Sequence, residues 1–167
     1  LNNNMLSVEM SPALTSLEND LMKSMACYFG LEENSGGVLL NGGTLGNLQA
    51  LAVARNAALD CHKKGVAVGT KSVILTSVDA HVSIQKVAML LGLGTGSVVS
   101  LPVDGHGRMR PEALKLEVNK AQRCGIKVIA IVATAGTTIV GSIDPLVAMA
   151  KIAREHDIWF HVDAAYG

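Results

Sequence analysis

The chain has 167 residues, of which 49% are hydrophobic and 17% charged, with Lys plus Arg equal to Asp plus Glu at 14 each. That is apolar material for one well-filled core and too little length for two full ones, and the balanced charge, with no basic cluster longer than Lys63-Lys64, argues against a nucleic-acid partner. No apolar run approaches the roughly 18 residues a membrane span needs, and "LNNNMLSVEM" lacks the cationic start and apolar centre of an export signal, so a soluble, cytoplasmic chain with no membrane segment is expected. Three well-separated cysteines, Cys27, Cys61 and Cys124, form no CxxC pair; each lies within or at the end of a helical pattern, fits a reducing compartment and reads as a small buried or half-buried hydrophobe.

Residues 1–10 show no periodicity and stay unassigned; the domain is expected over 11–167. Ser11-Pro12 followed by Leu14, Leu17, Leu21, Met25 and Phe29, closed by Gly30, predicts a helix with an N-cap, a proline in its first turn and a C-terminal glycine. After it, strand-length runs "GVLL", "SVILTS", "SVVSLP", "KVIAIVAT" and "DIWFHVDA" alternate with helical patterns beginning near Thr44, His81, Pro111 and Pro145. Such alternation predicts an α/β fold, a mostly parallel sheet flanked by helices. "KVIAIVAT", apolar at nearly every position, suits a central strand covered on both faces, and Asp104 to Gly107 reads as turn chemistry leading into a helix.

Ligands of open α/β sheets sit at the carboxyl ends of the strands, so the residues following each run are the candidates. After "GVLL" comes "NGGTLGNLQAL", with glycines that allow close backbone approach and Thr44 as the expected N-cap of a long helix, a geometry suited to a phosphate and equally to an ordinary tight turn. It matches neither GxGxxG nor GxxxxGK[ST], which leaves a Rossmann or P-loop reading without its fingerprint. After "SVILTS", "VDAHVSIQK" puts His81 at a helix start, where a histidine also serves as a cap or a packed ring. After "KVIAIVAT", Thr137 and Thr138 in "AGTTIVGSIDP" are hydrogen-bond donors or turn formers. The strand "IWFHV" delivers Asp163, a carboxylate that needs a cation or strong donor if buried, and no arginine or lysine stands nearby in sequence. The five histidines show no HxH or HExxH spacing, which argues against metal. A ligand carrying its own cation and its own phosphate would satisfy both ends of such a site, and pyridoxal phosphate has both.

In this order, "NGGTLGNLQALAVAR", "AHVSIQKVAMLLGLG", "ATAGTTIVGSIDP" and "HVDAAYG" resemble the pyridoxal-phosphate-dependent group II amino acid decarboxylases, the family of the aromatic amino acid, glutamate, aspartate and histidine-type enzymes. The likeness runs from about Ser11 to Gly167. It implies the central part of an incomplete large domain of the fold-type-I, PLP-dependent transferase-like class, and pyridoxal 5'-phosphate as cofactor. On this resemblance Asp163 pairs with the pyridine nitrogen, Ala165 lies against one ring face, His81 stacks on the other and meets the substrate carboxylate, Thr138 stands near the ring's 3-oxygen, and Gly43 and Thr44 hold the phosphate. His81 and Asp163 are thereby the catalytic candidates.

Leu45-Gly46 departs from the family's usual acidic or serine residue and alanine. The family's Schiff-base lysine, preceded by histidine, is expected beyond Gly167, because Lys86 and Lys151 lie in helical patterns and match no such motif; the chain by itself is not expected to turn over. The implied reaction is the release of CO2 from an L-amino acid, with the "GGTLGNL" turn closer to the branch acting on acidic amino acids, in a homodimer. Other readings are another fold-type-I enzyme of the sphingosine-phosphate-lyase or cysteine-desulfurase kind, a noncatalytic cofactor-binding or partner chain, and a nucleotide-binding α/β domain. Amine and CO2 as sole products would exclude the first, and the last lacks a phosphate loop.

Overall fold

The computed structural model describes residues 8–167, which fall into two compact units divided between Leu40 and Asn41. Most of the unassigned segment 1–10 therefore lies outside the described residues.

In the first unit, α1 spans Pro12–Tyr28, with Ser11 at the N-cap and proline opening the first turn, where no N–H is missed. The Thr15 hydroxyl donates to the Ser11 carbonyl at 2.8 Å. The helix stops at Gly30, whose φ of +66° lets Gly30 N–H reach Cys27 O (3.0 Å) and Leu31 N–H reach Ala26 O (2.9 Å), the paired bonds of a Schellman turn. The run "GVLL" is not a strand. Residues 36–40 have no sheet partner, and the Leu39 N–H is taken by the Glu18 carboxylate at 2.8 Å. A short apolar run carries no information about whether a neighbouring strand exists, and none does among the described residues.

The second unit alternates as expected: α2 Gly43–Leu59, β1 Ser72–Ser77, α3 Ser83–Leu90, β2 Val98–Leu101, α4 Pro111–Arg123, β3 Lys127–Thr134, α5 Leu146–Glu155 and β4 Trp159–Asp163. The sheet order is β2-β1-β3-β4, with every neighbouring pair parallel. The chain runs out from β1 to β2 through α3, then returns through α4 to β3 and through α5 to β4. Two buried clusters flank the sheet: α2 and α3 pack with Ile74, Ile129, Ala130 and Val132, and α4 and α5 pack with Leu75, Val128, Ile131 and Ala133. β3 is buried from Val128 to Thr134, as a strand covered on both faces must be.

Along β3 the alternation slips once. Val73 pairs with Val128, but Ile74 pairs with Ala130, so β3 holds one extra residue at Ile129. Ile129 and Ala130 consequently share one cluster, and every later residue is set on the face opposite to where strict alternation would leave it.

The cysteine expectation holds only for Cys61, which is buried; Cys27 and Cys124 are exposed. Cys27 lies in α1 and Cys124 is the C-cap of α4, and membership of a helical pattern does not specify the buried face.

Candidate active site

Because β1, β3 and β4 are parallel, their carboxyl ends share one edge of the sheet, and the chain reverses its direction of travel between β1 and β3, the place where open α/β sheets leave a crevice. A cavity of about 180 Å³ lies there, and its lining includes Gly43, Thr44, His81, Thr138, Asp163 and Ala165. All six candidates taken from the sequence thus meet at one place. Asn47, Thr134, Gly136 and Tyr166 complete the lining and were not singled out in the sequence.

Thr44 is not the N-cap. Gly42 holds that position with φ +87°, a conformation costly for any residue with a Cβ, and Gly43 and Thr44 form the first turn of α2. The free N–H groups of that turn still open toward the cavity end of the helix, with the positive end of its dipole. Gly43 also abuts Ala165: a Cβ at Gly43 would stand 3.1 Å from the Ala165 Cβ. His81 precedes its helix by two residues, α3 beginning at Ser83.

Asp163 ends β4 and is 8% exposed. Its partners are neutral donors: Asn47 Nδ2–H donates to Oδ2 at 2.9 Å and Ala165 N–H to Oδ1 at 3.2 Å. Asn47, 3% exposed on α2, also donates to Ser83 Oγ at 3.0 Å, and its Oδ1 lies 2.7 Å from His161 Nε2. Ser83 Oγ in turn lies 2.8 Å from His81 Nδ1, and Ser83 N–H donates to the same nitrogen at 3.2 Å. Burial depresses the pKa of His161 below the ordinary 6.5, a pull that the nearby Asp163 charge opposes. The missing cation of the sequence reading is thus replaced by amides, one of them 116 residues away along the chain.

Thr137 and Thr138 divide the two roles left open for them. Thr137 is buried and its Oγ1 accepts the Ser142 N–H at 3.0 Å, a turn contact, whereas Thr138 lines the cavity. Thr134, at the end of β3, lines it too, and its buried hydroxyl has no partner. Asp144 fixes this strand end from beneath: its carboxylate accepts N–H groups of Met109 at 2.6 Å and Thr134 at 2.8 Å. No group of three or more potential metal ligands occurs among the described residues.

A parallel α/β sheet thus gathers a buried carboxylate, an imidazole and a helix start around one strand-end cavity. The chain belongs to the pyridoxal-dependent decarboxylase family: it matches the family description "Pyridoxal-dependent decarboxylase conserved domain" over residues 1–167. It is 35% identical to human acidic amino acid decarboxylase GADL1 over 168 residues, covering 100% of this chain and 32% of that protein. To the L-aspartate decarboxylase dtxS4 of Metarhizium robertsii it is 40% identical, covering 100% of this chain and 34% of that one. The crystal structure of mouse CSAD superposes with a TM-score of 0.93 at 36% identity, over 99% of this chain and 35% of that chain. The chain therefore spans about a third of the length of these relatives. The architecture is that of the fold-type-I decarboxylases, and the cofactor of the family is pyridoxal phosphate.

Proposed function

We propose that this chain is the central, cofactor-binding part of a cytoplasmic, homodimeric amino acid decarboxylase that releases CO2 from an acidic L-amino acid. The observation that carries the reading is Asp163: a carboxylate buried at a strand-end cavity, held by an amide and a backbone N–H, with no cationic side chain against it among the described residues. The two amide donors are neutral and leave its charge uncompensated, and a protonated pyridine nitrogen is of the right size and charge to face it. The orphaned Thr134 hydroxyl is a second unmet demand in the same lining.

In this reading Asp163 holds the ring nitrogen protonated, Ala165 and His81 bound the two faces of the ring, Thr138 serves the 3-oxygen, and Gly43 and Thr44 offer the first turn of α2 to the phosphate. When bound, the cofactor supplies an electron sink for the charge left on Cα as CO2 departs. His81 orients the substrate carboxylate, and the small side chains Gly43 and Ala165 leave the room a planar ring needs. No lysine among the described residues lines the cavity, Lys86 lying within α3 and Lys151 within α5, so the covalent link requires a lysine from elsewhere.

The preference for acidic substrates is supported by the relatives, whose names include an acidic amino acid, an aspartate and a cysteine sulfinic acid decarboxylase. No helix among the described residues is long and apolar enough to cross a membrane. The test is to supply the full-length protein with pyridoxal phosphate and measure CO2 from L-aspartate, L-cysteine sulfinate and L-glutamate against an aromatic amino acid. Release from an acidic substrate alone is expected. Products other than amine and CO2 would overturn the reading in favour of another fold-type-I chemistry.

A further inference from the structure

The hydrogen bonds around Asn47 have only one self-consistent proton arrangement, and it reaches both proposed catalytic groups. Asp163 Oδ2 is an acceptor, so the Asn47 atom 2.9 Å from it must be the NH2 group; the flipped amide would set two oxygens against each other. The second amide proton goes to Ser83 Oγ at 3.0 Å. Asn47 Oδ1 then faces His161 Nε2 at 2.7 Å and can only accept, so His161 carries its proton on Nε2. That assignment agrees with an imidazole whose burial favours the neutral form. On the other branch, the Ser83 backbone N–H can only donate, so its 3.2 Å contact makes His81 Nδ1 an acceptor, and Ser83 Oγ, which accepts from Asn47, turns its own proton toward the same nitrogen at 2.8 Å. His81 Nδ1 is therefore the accepting nitrogen, and the ring's proton sits on Nε2.

We propose that Asn47 is a positioning residue that locks Asp163, His161 and His81 into one proton arrangement, preparing the cavity for a cationic ring on its carboxylate side and presenting His81 as an Nε2–H donor. This rests on the pyridoxal-phosphate reading for the identity of the ring, but not for the proton arrangement. Asn47 itself is 3% exposed, and its three amide contacts are all side-chain groups: Ser83 from α3, and His161 and Asp163 from β4. An apolar residue of the same size could fill the space and could not do this.

The experiment uses the intact polypeptide labelled with ¹⁵N-histidine, together with its Asn47→Leu variant. In the unsubstituted protein at pH 7.5, ring-nitrogen shifts should place the proton on Nε2 of both His161 and His81. A proton on Nδ1 of either ring overturns the proposal, whether or not the variant folds. In Asn47→Leu, His161 should shift to a mixture of tautomers and the affinity for added pyridoxal phosphate should fall about tenfold. Combining it with Asp163→Asn should add little further loss, because the two act as a unit. Unchanged tautomers and affinity in a folded Asn47→Leu protein would overturn it. If the unsubstituted protein fails to bind pyridoxal phosphate while the tautomers are as stated, the cofactor reading fails and the proton arrangement stands.

Discussion

At the scale of single residues, the site depends on a charge that the fold buries before any ligand arrives. Asp163→Asn keeps the shape and the Ala165 contact but removes the charge that would face a pyridinium. A hydrogen bond to a charged group contributes about 1.5–3 kcal/mol, so pyridoxal phosphate affinity should drop by roughly 10- to 100-fold, read by fluorescence titration; an undiminished affinity would remove Asp163 from the proposed role. Space is the second demand. Ala165→Leu puts a branched side chain where the lining is already tight against Gly43, and it should abolish cofactor binding while leaving the thermal transition near that of the parent, since Ala165 is exposed to the cavity. A carboxylate with a shifted pKa lies outside the site. Asp104 is held down to about 2, first by the Arg108 side chain and then by backbone N–H groups of Arg108 and His106, and it closes the turn before α4.

At the scale of elements, β3 and the loop after it carry the architecture. Ile131 is fully buried among α4 and α5, and Ile131→Ala should cost about 2–5 kcal/mol in urea unfolding, the range for large-to-small changes in a packed core. Asp144 is the less visible dependency. Its carboxylate ties Met109, beyond β2, to Thr134, at the end of β3, and Asp144→Ala leaves two N–H groups buried without partners. A loss of about 3 kcal/mol or more is expected, with the cavity edge loosened as well; hydrogen exchange at the Thr134 amide measures the local part separately.

For the whole molecule, pH acts through His161. Its folded-state pKa lies below the ordinary 6.5 because burial disfavours the cation, so as pH falls below that value the unfolded chain takes up the proton first. The stability contributed by the neutral buried ring is complete above 6.5 and is lost as pH falls through the ordinary value toward the folded one. The urea midpoint should therefore drop between pH 7.5 and pH 5.5, and His161→Gln, which can still donate to Asn47, should flatten that drop. An equal drop in both proteins would assign the pH dependence to other groups.

What the sequence by itself determined is periodic or local. The alternation of strand and helix runs, the burial of "KVIAIVAT", the Pro12 helix start and its Gly30 stop are consequences of side-chain pattern and backbone stereochemistry within a few residues. The strand-end rule then brought Asp163, His81 and Thr138 together, because parallel strands must end on one edge, whereas the Gly43-Thr44 turn follows no strand and joins them only through the packing of α2. Tertiary structure alone decided the rest. "GVLL" had strand composition but no neighbour to pair with among the described residues, and Gly42 took the cap because its positive φ turns the chain there. The slip at Ile129 came from pairing, not from alternation. Asn47 sat unremarked inside a quoted motif, since an asparagine within a helix carries no signal of its own. It gains meaning when folding sets it between an aspartate 116 and a histidine 114 residues away, and hydrogen-bond geometry over such separations is a property of the folded chain.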